Sequence, residues 1–280
     1  MSFGRQTNSK GSEKENTVQV SILMGVYNAE RTLEKALDSV LTQTFSAFEL
    51  IACDDASTDS SLKILLRYRK KDPRIIVIRN RRNLGLGASL NRCLMRARGS
   101  LIARQDADDI SSPDRLEKTV RYLLDKGLPF AACGVFVFDD KGVWSRRLYP
   151  EIVKRHDLAR HNPFFHPTMV FRREVLEAAD GYRVAPETRR AEDYDLVMRL
   201  ASLGYIGQNL QEYLYYVYEP ADAYLRHTWK TRLSEIRVRW QGYRTMRLPL
   251  RDYVFLAKPI FMMAVPHSVL RRFKELQWGR

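Results

Sequence analysis

The chain has 280 residues, a formal net charge of +14 and 45% hydrophobic residues, enough for one sizeable domain plus an appendage. Its three cysteines, Cys53, Cys93 and Cys133, show no paired spacing, which argues against a zinc site and for buried thiols in a reducing compartment. Residues 1–17 are polar with no apolar core, and read as a disordered tail, not a secretory signal.

Residues 20–28 read as a buried first strand ending in a loop, and residues 30–43 carry Leu33, Leu37, Val40 and Leu41 at helical spacing. A second strand, 48–53, runs into Asp54-Asp55-Ala56-Ser57-Thr58-Asp59, and a helix follows with Leu62, Leu65 and Leu66. A third strand, 74–78, leads to Asn83-Leu84-Gly85-Leu86-Gly87 and a helix with Leu90, Leu94 and Ala97 on one face. A fourth strand ends at Asp106. Strand and helix alternate, and the polar clusters all follow strands. That order predicts a parallel α/β sheet with ligands gathered at the carboxyl ends of its strands.

The fourth strand stops at three carboxylates within four residues, Asp106, Asp108 and Asp109. Two readings are open for the triplet alone. Close carboxylates repel, and a bound magnesium or manganese ion is the usual reason to keep them together; such a cation can in turn hold a diphosphate. Alternatively, the acids belong to a loop capping the helix that starts at Ser112-Pro113-Asp114. The strand–helix repetition favours the first reading, a nucleotide-dependent enzyme. Further on, Glu192-Asp193 opens a helix with Leu196, Val197, Leu200 and Leu203.

Four segments, in order, resemble the motifs of family 2 glycosyltransferases: Ser21-Ile22-Leu23-Met24-Gly25-Val26-Tyr27-Asn28, Asp54 to Asp59, Asp106-Ala107-Asp108-Asp109, and Glu192-Asp193-Tyr194-Asp195-Leu196. Residues 102–106, 209–212 and 248–253 are similar to the EpsE-type glycosyltransferases of bacterial exopolysaccharide operons. The resemblance implies a GT-A fold: a Rossmann-like, mostly parallel sheet with helices on both faces, over residues 18–222. Residues 223–280 add a basic, amphipathic helical tail.

The resemblance also implies roles. Val26, Tyr27, Asp54, Asp55, Asn83, Asp106 and Ala107 would bind a nucleotide-sugar, with Tyr27 stacking on the base and Asp55 accepting its hydrogen bond. Asp108 would ligate manganese or magnesium, and Asp106 would reach the ribose or the metal through water. Asp193 would be the general base, with single displacement and inversion at the anomeric carbon. His166, Thr168 and Glu192 would lie on the acceptor side, although His166 reads equally well as a buried structural histidine. Many relatives carry a metal-ligating histidine after the last strand. Here that strand ends Tyr218-Glu219-Pro220, which leaves Glu219 or water to complete the site, with His227 nearby but beyond Pro220.

The tail makes the protein basic: residues 226–280 hold thirteen Lys and Arg against Glu235, Asp252 and Glu275, which is +10 of the +14. Trp229, Leu233, Ile236, Trp240 and Tyr243 recur at steps of four and three, an apolar helical stripe flanked by arginines. Residues 254–265 are apolar but far short of the about 20 residues a bilayer span needs. The stripe either packs on the domain or docks on an anionic membrane surface, and charge with aromatics favours the second. Nucleic acid is disfavoured, since no reading motif accompanies the basic residues. The expectation is a cytoplasmic enzyme, peripheral at the inner face of the cell membrane, extending a glycan or lipid-linked acceptor. Two alternatives carry less weight. One is a weakly catalytic protein of this fold that binds a protein partner through the tail. The other is a nucleotidyltransferase, for which no early Gly-rich basic loop is present.

Overall fold

The first strand is buried on both faces, and the architecture follows from that. In the computed structural model, which describes residues 18–220 and 229–264, β1 (Val20–Val26) lies inside a sheet. It is followed by α1 (Leu33–Leu41), β2 (Phe48–Asp54), α2 (Ser61–Lys71), β3 (Ile75–Arg79), α3 (Leu86–Leu94) and β4 (Leu101–Arg104). These four strands are parallel, in the order β3-β2-β1-β4. Val20, Ile22 and Met24 pack on one face against α1 and α2, through Leu33, Leu37 and Leu65. Leu23, Ile51 and Cys53 point to the other face and meet Leu90 and Cys93 of α3. A two-faced apolar strand of this kind is typical of parallel sheets covered by helices.

The second half mixes directions. It comprises β5 (Ile110–Ser111), α4 (Arg115–Asp125), β6 (Phe130–Asp139), β7 (Gly142–Arg147), α5 (Asp157–Arg160), β8 (Val170–Arg172), α6 (Arg173–Ala178), α7 (Glu192–Ser202) and β9 (Gln208–Tyr218). The sheet continues from β4 through β8, β6 and β9 to β5, with β7 on β6. Strand β8 runs antiparallel to both β4 and β6, while β9 is parallel to β6. The direction change beside β4 is where crevices form in open α/β sheets, at the carboxyl ends of the strands.

Helix α1 is shorter than the apolar spacing predicts. Its expected first turn is consumed by bonds between the two loops that follow β1 and β2. Ala29 N donates to Ser61 Oγ (2.8 Å), and Glu30 N donates to Asp59 Oδ2 (3.0 Å). Asp59 Oδ1 also accepts from Ser61 N at 2.9 Å, so this acid organises the start of α2.

After residue 228 come α8 (Trp229–Thr245), a 3-10 segment at Leu250–Ala257 and α9 (Lys258–Ala264). Helix α8 is part of the core. Val238, Tyr243 and Met246 are buried in the cluster that contains Leu196, Val197 and Met198 of α7. Gly242 lies so close to α7 that a Cβ there would sit 2.3 Å from Met198 Sδ. Arg239 Nη1 donates to Ala159 O (3.0 Å), and Tyr243 Oη donates to the same carbonyl. The expected single stripe is therefore split. Only Tyr243 of its members is buried, whereas Trp229, Leu233 and Trp240 are 61%, 45% and 47% exposed. The packed face is rotated roughly a third of a turn from the sequence stripe, at 3.6 residues per turn. Packing thus takes one side of α8 and leaves these three side chains about half exposed or more, with Trp240 edge-on to Tyr253. Among the described residues no helix is long and apolar enough to cross a membrane. Residues 1–17, His227 and Val265 lie outside the described residues.

Candidate active site

Two cavities meet at the first turn of α7. The first has a volume of about 460 Å³ and opens between the loops after β1, β2 and β3 on one side and residues 183–192 on the other. Tyr27, half exposed, stands at its rim with Asp55, Asn83 and Glu192. Asn28 (φ 49°) and Ala56 (φ 59°), the residues just after Tyr27 and Asp55, both hold left-handed backbone. Such strain in a non-glycine residue concentrates at functional sites. Asp55 builds the loop before α3: Oδ1 accepts from Asn80 Nδ2 (2.7 Å) and Leu84 N (2.8 Å), and Oδ2 accepts from Gly85 N (2.8 Å). Gly85 caps α3 at φ 89°, a conformation that favours glycine.

The second cavity, about 430 Å³, is lined by Asp106, Asp108, Asp109, Asn162, His166 and Asp193, among others. Asp106 follows β4 and is ion-paired with Arg104, which is fully buried. Arg104 Nη1 also donates to Leu23 O (2.8 Å) and Gln105 O (3.1 Å). Asp109 is buried and accepts from Tyr218 N (2.8 Å); burial, then the charges of Asp108 and Asp106, push its carboxyl well above the usual range.

Asp193 faces these acids from the first turn of α7, where its Oδ2 accepts from Asn162 Nδ2 at 3.1 Å. Burial raises the Asp193 carboxyl above its ordinary value. The adjacent Glu192 is pushed up to about 7, first by burial and then by the charge of Asp193. A carboxyl poised near neutrality beside a cavity is a mark of acid–base chemistry.

His166 is buried, its Nε2 is 2.8 Å from Tyr182 Oη, and burial together with the Arg104 charge holds it well below the usual histidine range. It therefore lines the cavity as a neutral ring. Thr168 is fully buried and spends its hydroxyl on Phe165 O (2.8 Å) and Cys133 N (3.1 Å). Val26, Asp54 and Ala107 are also buried. Asp54 lines neither cavity, and its nearest cation is Arg79 Nε at 3.9 Å. Glu219, a candidate for completing a metal site, is ion-paired with Arg147 at 2.9 Å.

Among the described residues no group of three or more His, Cys, Asp or Glu is arranged as a metal cage. Asp106, Asp108 and Asp109 lie together on one edge of this cavity, with Asp106 paired to Arg104 and Asp109 accepting from Tyr218 N. That donor set fits magnesium or manganese held by one or two carboxylates and shared with substrate phosphates.

The motifs gave no role to Arg104, although it lies within the segment 102–106, and none to Asn80, Asn162 or the arginines at 189 and 190. Arg104 sits in an apolar run beside the acids, which was a readable signal. Asn162 carries none, because its place opposite Asp193 arises only from folding.

Residues 21–179 match the family described as Glycosyl transferase family 2. The chain is 41% identical over 259 residues to EpsE of Bacillus subtilis (strain 168), covering 92% of this chain and 93% of that one. It is 31% identical over 265 residues to the amylovoran biosynthesis glycosyltransferase AmsE of Erwinia amylovora, covering 92% and 96% respectively. Among solved structures, S. aureus TarS 1-349 in complex with UDP superposes with a TM-score of 0.66 at 21% identity, covering 86% of this chain and 70% of that one. The fold shared with TarS is the GT-A fold.

The position of Glu192 beside Asp193 gives a direct expectation. In a carboxyl-detected NMR titration Glu192 should titrate at about 7. Asp193→Asn removes the neighbouring charge and should bring it down toward the ordinary glutamate range. A Glu192 that titrates as a free glutamate in the unmodified protein would remove the pair from this role.

Proposed function

The chain belongs to glycosyl transferase family 2, a glycosyltransferase of polysaccharide biosynthesis, and from that premise we propose how it works. The reaction is transfer of a sugar from a nucleotide-sugar, by default a uridine diphosphate sugar, to a hydroxyl of a glycan acceptor, with inversion. The observation that carries this reading is that Asp193 shares one cavity with Asp106 and Asp108. Base and leaving-group acids thus face a common space.

The nucleoside occupies the first cavity. Tyr27 offers its ring to the base, and the loop ordered by Asp55 forms the floor. The diphosphate then extends toward the second cavity. Asp108, with Asp106 beside it, would hold magnesium or manganese, whose charge offsets that building on the leaving diphosphate. Asp193 accepts the proton of the acceptor hydroxyl as its oxygen attacks the anomeric carbon. The bond from that carbon to the diphosphate breaks on the opposite face, so the configuration inverts. Its raised pKa makes Asp193 a better match for a weakly acidic hydroxyl, and the Asn162 bond fixes its orientation. Because its carboxyl must be ionised, activity falls as pH drops through the range in which the Glu192–Asp193 pair takes up protons.

The acceptor is lipid-linked in this proposal, and the enzyme works at the inner face of the membrane. Support comes from the solvent side of the tail. Trp229, Leu233 and Trp240 of α8 are exposed, as are Leu250, Val254 and Phe261 beyond it, amid the excess of Lys and Arg. Exposed aromatic and apolar side chains in a strongly basic segment suit an anionic leaflet.

Two measurements test these assignments. Asp193→Asn keeps the shape and removes the proton acceptor, so nucleotide binding should persist while transfer falls roughly 10²-fold or more. Near-normal transfer would place the base elsewhere. For the tail, flotation with vesicles containing anionic lipid should retain the full chain at low salt and less of it at high salt. Replacing Trp229, Leu233 and Trp240 together with serine should abolish flotation while the protein still unfolds cooperatively, with its melting temperature lowered only by the lost contacts of these half-exposed side chains, such as that of Trp240 with Tyr253. Unchanged flotation of that variant would remove α8 from the membrane surface.

A further inference from the structure

The carboxylates that line the two cavities raise a charge problem. A nucleoside diphosphate brings further negative charge into a space already bordered by Asp55, Glu192, Asp106, Asp108 and Asp193. Among the described residues, the wall of the cavity of the acids has no Lys or Arg. In the wall of the nucleotide cavity there are three cationic side chains among the described residues: Arg183, Arg189 and Arg190. Arg183 is committed. Its Nε donates to Asp195 Oδ1, its Nη2 is ion-paired with the same oxygen and its Nη1 is paired with Glu187, each at 2.9 Å. Arg189 and Arg190 remain.

Their setting is unlike that of ordinary surface arginines. Arg189 Nη2 reaches across the cavity mouth and donates to Asn83 Oδ1 at 3.1 Å, joining residues 106 apart in sequence. That acceptor is a neutral amide, so the guanidinium has a fixed position but no counter-charge from it. Arg190 is held at φ 135°, a region that costs a non-glycine residue free energy. Its backbone N donates to Glu192 Oε2 at 2.9 Å, which ties this strained residue to the turn that carries the base. Both side chains are exposed, so neither is needed to fill the core.

We propose that Arg189 and Arg190 form a guanidinium clamp on the diphosphate of the donor, with Arg189 exchanging its bond to Asn83 for a phosphate oxygen. The inference rests on the nucleotide-sugar reading and adds to it the residues that neutralise the donor from the protein side. Guanidinium groups suit this task because their planar fork matches phosphate oxygens with two parallel, charge-assisted bonds. The clamp enters from the wall opposite Asp55, so the nucleotide is held between the α3 loop and residues 189–190. It also gives the leaving diphosphate positive charge that does not depend on Asp108.

The test separates phosphate recognition from nucleoside recognition. Calorimetry would compare UDP, GDP, dTDP and ADP with the matching nucleosides, with and without manganese, on the unmodified protein and on Arg189→Ala, Arg190→Ala and the double variant. Each single variant should weaken the preferred diphosphate about tenfold, the usual scale of one charge-assisted bond, and leave the nucleoside unchanged. The loss should persist without manganese, and Arg190→Lys should recover part of it. Unchanged diphosphate affinity, or equal losses for diphosphate and nucleoside, would overturn the clamp while leaving the donor reading intact. An unmodified protein that binds none of the four diphosphates would overturn the donor reading and the clamp with it.

Discussion

Arg104 is the residue on which the arrangement of acids depends. Three carboxylates at one strand end, with two more on the facing helix, would repel one another without nearby positive charge. Arg104 supplies it from within the sheet. Fully buried in β4, it donates to the carbonyls of Leu23 and Gln105 and pairs with Asp106. A buried ion pair contributes little net stability, because both groups lose water; removing one partner, however, costs several kcal/mol, on the order of 3–5. The pair is thus better understood as fixing the direction of the Asp106 carboxylate than as holding the fold together.

The same charge reaches further into the site. Together with burial, which is the larger cause, it holds His166 well below the usual histidine range, so the neutral ring can share a hydrogen bond with Tyr182 without adding a cation beside it. The wall between the two cavities is a single helical turn: Glu192 lines the nucleotide cavity and Asp193 the cavity of the acids. A sugar joined to a diphosphate would therefore lie across that turn, next to the proton acceptor. Helix α7 is in turn held from behind by α8, whose Gly242 allows close approach to Met198. What the sequence presents as a tail begins as the support of the helix that carries Glu192 and Asp193 and leaves Trp229, Leu233 and Trp240 partly exposed.

Much of this was readable before folding. The strands β1 and β2 are apolar on both faces, and the polar clusters directly after them made the parallel order and its ligand edge plain. The motif acids Asp55, Asp108 and Asp193 line the cavities because strand ends and a helix start place them there. Other features were hidden for physical reasons. Asp54 and Asp55 are neighbours in one motif, yet strand alternation sends Asp54 inward and Asp55 to the cavity. Helix α1 lost its first turn to loop bonds that involve residues about 30 positions away. The stripe on α8 was correctly helical but does not coincide with the buried face, since periodicity reports a face and not which neighbour covers it. Asn162 and Arg189, which follows the 3-10 turn at Pro186–Thr188, find their partners only through residues distant in sequence.

In the proposed single displacement, Asp193 and the leaving diphosphate stand on opposite sides of the anomeric carbon. The most direct measurement is the anomeric configuration of the product, read by NMR coupling constants after transfer from an α-linked nucleotide-sugar. A β-linked product is expected from the first turnover onward. An α-linked product would contradict it, since retention requires a different arrangement of nucleophile and leaving group from the one these carboxylates present.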